Sequence, residues 1–159
     1  MKLSSWLTTR ALAASGIVAA LYTALTLLFA PISFAQIQFR ISEALTLLPV
    51  MSAASVPGLF IGCLLANLVT GQPWQDVLFG SLATLMAAVL TRRFRQKIWL
   101  AALMPVLLNA LVIGAMLWLV YGLHPYISFL TVGAGQAAVC YLLGVPLVSL
   151  MKKRGIALE

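Results

Sequence analysis

The stretch QIQFRISEALTLLP, residues 36–49, sets Arg40 and Glu43 three residues apart inside an almost wholly apolar chain. On a helix that spacing puts both on one face, where they can neutralise each other as an ion pair. Charges near membrane depth are costly and are usually retained for a ligand or an ion path, so the pair is also a candidate site. Asp76, in GQPWQD, follows Gly71 and Pro73 and falls in the first turn of a helix. There the helix dipole favours a carboxylate, and capping competes with ligand binding. Trp74 beside it is either a membrane-interface anchor or a stacking platform for a flat ligand. Three amides, Asn67, Asn109 and Gln136, stand in apolar runs, where such groups either bond helix to helix or meet a substrate. GAGQAA tips Gln136 toward binding, because Gly133 and Gly135 admit a close approach to the backbone. His124, in YGLHPY, reads as a solvated loop residue between two interface aromatics, Tyr121 and Tyr126.

Enzymatic chemistry finds little support. There is no HExxH, no GxSxG, no nucleotide-binding loop, one histidine and no pair of carboxylates within an apolar segment. Cys63 and Cys140 lie in apolar runs without CxxC or Cys/His spacing and read as small hydrophobes. No cofactor and no metal are expected. If the protein transports actively, a partner or an ion gradient supplies the energy.

The elements that hold these residues are membrane helices. Of 159 residues, 63% are hydrophobic and 8% charged, with a mean hydropathy of +1.08, which is the profile of a polytopic membrane protein forming one domain over 1–159. Ten bases stand against three acids. The bases fall at Lys2 and Arg10, in RRFRQK (Arg92, Arg93, Arg95, Lys97) and in KKR (Lys152, Lys153, Arg154), each time at the edge of an apolar segment. That is the positive-inside pattern. A nucleic-acid surface would gather its charges on one face with aromatics among them, and none is expected here. The first residues resemble a signal peptide with Ser33-Phe34-Ala35 as a cleavage site. The apolar run 11–30, however, approaches the roughly 20 residues of a span.

Six helices are expected, at about 8–29, 41–54, 56–70, 74–90, 98–121 and 126–151. Region 43–70 is long for one helix and short for two. Charge parity decides: two crossings there put nine of the ten bases on the cytoplasmic side with both termini, whereas one crossing strands RRFRQK outside. The break is expected at SAASVPG, where Pro57 and Gly58 disfavour continuous helix. The expected fold is therefore an all-α, six-transmembrane-helix bundle with cytoplasmic N and C termini and short second and third helices. Arg40, Glu43 and Asp76 then share its outward mouth. On the first helix, small residues recur every fourth position in two rows, Ala11, Ser15, Ala19 and Gly16, Ala20, Ala24, suited to internal packing or to docking on another membrane protein.

Six short-looped helices, this stripe and IQFRISEALTLLP resemble the queuosine-precursor transporter family, one of the substrate-binding S-components of energy-coupling factor (ECF) transporters. The resemblance covers nearly the whole chain and is most specific at residues 38–49. It implies capture of a substrate from outside, followed by toppling against a transmembrane coupling subunit driven by two cytoplasmic ATPases. The small-residue surface of the first helix would be the docking contact, although it mixes Gly and Ser with Ala where S-components favour Ala. The implied substrate is a 7-deazaguanine. Such a ring offers neighbouring N–H donors that one carboxylate, Glu43 or Asp76, can accept together, and a carbonyl that wants a donor from Arg40, Gln38, Asn67, Asn109 or Gln136. Phe39, Trp74 and Tyr121 are candidate faces for the ring. Arg40 fits better as a lock on Glu43 or its loop than against an aminomethyl cation. An S-component for another vitamin, or a stand-alone ion-coupled carrier, are the competing readings.

Overall fold

The computed structural model describes residues 8–33 and 39–155, so Gln38 lies outside the described residues. Within them the chain forms six helices. They are α1 (Thr9–Leu28), followed by a single turn at Ala30–Ser33; α2 (Ile41–Val50); α3 (Ser55–Val69); α4, a wide turn Asp76–Gly80 running into Ser81–Arg93; α5 (Ile98–Tyr121); and α6 (Pro125–Lys153). Three of these, α1, α5 and α6, are each long and apolar enough to cross a membrane, while α2 and α3 are shorter apolar helices.

α2 is a 3₁₀-helix: Glu43 N–H bonds Arg40 O at 3.0 Å, and Met51 N–H bonds Leu48 O at 2.8 Å. Runs beyond roughly four residues are uncommon in this geometry, and the period of the sequence explains this one. With about three residues per turn, the helix presents three edges. Leu45 and Leu48 pack with Val18, Tyr22 and Leu59 of α1 and α3, and Leu47 and Val50 pack with Ala101, Ala102, Val145 and Val148 of α5 and α6. Glu43, Thr46 and Pro49 form the third edge. From Ser42 to Val50 every residue is buried, which makes α2 the pillar of the bundle.

The break between the second and third helices falls at the start of SAASVPG, a few residues ahead of Pro57 and Gly58. α2 ends at Val50 rather than 54, the connection occupies 51–54, and α3 begins at Ser55, so the proline sits inside its first turn. An N–H missing there has no intrahelical partner to lose. Gly58 serves a different purpose. A Cβ at Gly58 would stand 2.5 Å from Ser15 O, and one at Gly62 would stand 2.8 Å from Tyr22 Cβ and 2.9 Å from Ala19 O, so α3 lies flush against α1. The remaining boundaries shift little: α4 continues to Arg93 instead of 90, α6 covers Pro125–Lys153 instead of 126–151, and α5 spans 98–121 as expected. In α5, Pro105 strips the Ala101 carbonyl of its helical donor, and the Thr91 hydroxyl donates to it at 3.2 Å.

Charge separates along α2. At its start stand Arg40 and Glu43. At its end Arg92 Nη1 donates to Pro49 O at 3.1 Å, and Arg10 and Met151, at the first turn of α1 and the last of α6, border one groove with Leu48. The bases of the α4–α5 turn and of the last turn of α6 therefore gather at the end away from Glu43.

Candidate functional site

Glu43 is 2% exposed in the middle of four helices. One carboxylate oxygen accepts from the Tyr22 hydroxyl of α1, and the other accepts from Gln136 Nε2 of α6 at 3.0 Å. Thr46 Oγ1 donates to the Glu43 carbonyl at 2.6 Å, tightening the turn that presents the side chain. A buried carboxylate is stable only when its lone pairs are filled, and two donors from different helices also fix its direction.

Arg40, just before α2, is buried beside it, within electrostatic reach of both Glu43 and Asp76. Its guanidinium lies against α4, since a Cβ at Gly80 would meet Arg40 Nη1 at 3.9 Å and Asn67 Nδ2 at 3.2 Å. Asp76 Oδ2 accepts from the Tyr121 hydroxyl at 2.8 Å, tying the end of α5 to the start of α4. Asn67 Nδ2 donates to the Asp76 carbonyl at 3.4 Å. One guanidinium against two carboxylates leaves one negative charge in excess.

Arg40, Glu43, Asn109 and Gln136 wall a cavity with Ile113 and Val132. Its volume is about 10 Å³, room for roughly one water. Asn109 is 6% exposed and, among the described residues, its Nδ2 has no hydrogen-bond partner. Leaving such a donor unmet costs about 1–3 kcal/mol, so its presence in the wall calls for a partner that arrives from elsewhere. The walls can accept two adjacent N–H groups at Glu43 and donate to a carbonyl from Asn109. Among the described residues no group of three His, Cys, Asp or Glu side chains could hold a metal ion.

The structure thus brings Arg40, Glu43, Asn109 and Gln136 to one cavity and sets Asn67 and Asp76 directly behind Arg40. Trp74 stands apart at 67% exposure, and Phe39 is half-buried next to Arg40. His124 is exposed and packs its ring 5.7 Å from that of Tyr126. The two rows of the α1 stripe part company. Ser15 and Ala19 turn inward to α3, with Ser15 Oγ donating to Ala54 O at 2.6 Å, whereas Gly16, Ala20 and Ala24 are exposed and Ala11 is half-buried. Sequence reasoning missed Tyr22, the phenol that holds Glu43. Its signal was a hydroxyl in the middle of an apolar helix, where it must find an acceptor. A second hollow, of about 380 Å³, opens between α1, α2 and α6 and is almost wholly apolar.

The profile of the family described as "QueT transporter" matches residues 12–153. The chain belongs to the QueT transporter family. A curated relative, "Queuosine precursor transporter QueT" of Lactococcus lactis subsp. cremoris (strain MG1363), is 36% identical over 86 residues. The match covers 50% of this chain and 50% of the relative, so the chain spans about half the length of the curated relative it matches. No solved structure matches the chain significantly. Membership in this family agrees with the three helices that are long and apolar enough to cross a membrane.

Proposed function

We propose that this QueT-family protein is the substrate-capture (S) component of an energy-coupling factor importer, taking up a queuosine precursor of the 7-deazaguanine type. In this reading it is a six-span protein of the cell membrane with both termini cytoplasmic. The substrate enters at the outward mouth, and the loaded protein topples against a coupling subunit driven by two ATPases. The observation that carries the substrate assignment is the buried Glu43 facing the unmet amide of Asn109 across one polar cavity. Glu43 accepts the two neighbouring N–H groups of a guanine-type edge, and Asn109 donates to the carbonyl beside them. The excess negative charge of Glu43 and Asp76 over Arg40 suits an aminomethyl cation on the ring, with Arg40 acting as a lock between the carboxylates. The gathering of bases at the opposite end supports the orientation.

Small-molecule pockets enclose roughly 300–1,000 Å³, far above the present cavity of about 10 Å³. Binding therefore parts the walls, which belong to α2, α5 and α6, while the Tyr121–Asp76 contact ties α5 to α4 beside them. The exposed row Gly16, Ala20 and Ala24 is the face of α1 left for a coupling subunit.

Calorimetry on the detergent-purified protein tests this reading with 7-aminomethyl-7-deazaguanine, queuine and a 7-deazaadenine, the last presenting the opposite donor and acceptor pattern. Tight binding of a 7-deazaguanine, rejection of the 7-deazaadenine and loss on Glu43→Gln are expected. Equal affinity for both ring types would remove the edge-reading argument. No binding of any, in folded protein, would return the assignment to another vitamin or to an ion-coupled carrier.

A further inference from the structure

The apolar groove lies on a different edge of α2 from the polar cavity and differs from it in chemistry. Ala14, Ile17 and Leu21 of α1 form one wall, with Leu45 and Leu48 of α2 behind and Leu147 of α6 opposite. Ile17 and Leu21 are exposed, so the groove opens sideways toward the hydrocarbon that surrounds a membrane helix. At its far end stands Arg10. Met151 also borders that end and is followed directly by Lys152, Lys153 and Arg154, all exposed. Glu43 and Asp76 lie at the other end of the bundle, so among the described residues no acid offsets these bases.

The dimensions identify an occupant. From Arg10 to Leu21 an α-helix climbs about 16 Å at 1.5 Å per residue. Half of a bilayer's hydrocarbon core is about 15 Å. The groove is therefore as long as one acyl chain within one leaflet, and the charge lies where that lipid's headgroup would be. A soluble metabolite would find no polar wall to orient it, and a zwitterionic headgroup would bring a cation toward Arg10.

We propose that this groove is a binding site for one anionic phospholipid, its acyl chain lying between α1 and α6 against Leu48 and its phosphate held by Arg10 and the bases that end α6. The site is distinct from substrate capture and independent of the substrate's identity. A lipid seated there holds α1 against α2, the helix that carries Glu43.

Native mass spectrometry of the detergent-purified full chain, titrated with phosphatidylglycerol or phosphatidylcholine of the same acyl composition, tests the site. The wild type should retain one phosphatidylglycerol in preference to phosphatidylcholine. Arg10→Gln should cut that preference about fivefold, the effect of one basic side chain near an anionic headgroup. Ala14→Trp, which fills the groove, should abolish the first bound lipid of either kind, and Arg95→Gln, outside the groove, should change nothing. Unchanged circular dichroism shows that each variant is folded. Equal retention of both lipids by the wild type, or a preference indifferent to Arg10→Gln, overturns the proposal. So does displacement by millimolar inorganic phosphate, which would mark a bare anion site, or crosslinking of Ala14→Cys to a partner's transmembrane helix in membranes where the lipid is absent.

Discussion

Two hollows of this protein, the polar cavity and the apolar groove, differ in the opposite sense to what size suggests. The larger, about 380 Å³, is greasy, its wall almost wholly apolar apart from Arg10 and Ser55. The smaller, about 10 Å³, is walled by a carboxylate, a guanidinium and two amides, one of which has an unmet donor among the described residues. Volume measures what a wall already accommodates. Unmet hydrogen bonds measure what it still lacks, and specific recognition of a heteroaromatic solute draws on the second quantity.

Four substitutions test that contrast. Glu43→Gln should lower affinity for a 7-deazaguanine by about a hundredfold, since the amide keeps one acceptor and the lost hydrogen bond to a charged acceptor is worth up to about 3 kcal/mol. A change under tenfold in the same calorimetry would move recognition out of the polar cavity. Tyr22→Phe removes one of the donors that hold Glu43 and should cost about 1.5–3 kcal/mol of stability, read as a lower thermal midpoint in detergent. An unaltered midpoint would mean that the carboxylate does not depend on the phenol. Asn109→Leu should act with opposite signs on two readouts. Affinity should fall about tenfold while thermal stability holds or rises, because an unmet buried donor costs roughly 1–3 kcal/mol. Loss of stability would show that the amide already has a partner. Ile17→Trp, in the greasy groove, should leave substrate affinity within about twofold, as substitutions remote from a site do. A large loss there would make the bigger hollow the substrate site.

The helices were legible because apolar runs and their basic edges are long-range signals. The pillar α2 was less so. A three-residue period and a 3.6-residue period are hard to separate over ten residues, and only the neighbours on all three edges select the tighter ladder. Pro57 located the break only to within a few residues for a related reason: a proline N–H is not claimed in a first turn, so the residue can stand just inside the next helix. Arg40 and Glu43 stood out by the cost of charge among apolar residues. Tyr22 did not, because nothing in an apolar helix states which face meets a carboxylate 21 residues onward. Gly58 and Gly62, four apart, were the unread partners of Ser15 and Ala19, and that complementarity would have assigned one row of the stripe to internal packing.

The pitch of α2 makes it a store of length. Ten residues extend about 20 Å at the 3₁₀ rise of 2.0 Å per residue and about 15 Å at the α rise of 1.5 Å. Rewinding α2 would draw Glu43 and the Pro49 carbonyl closer by about 3 Å over six residues and turn one against the other by roughly 120°. The Arg92 bond to Pro49 O is only 3.1 Å long. A disturbance at the carboxylate that changes the winding would therefore be felt as a broken bond among the bases at the far end, a transmission made of thread pitch alone.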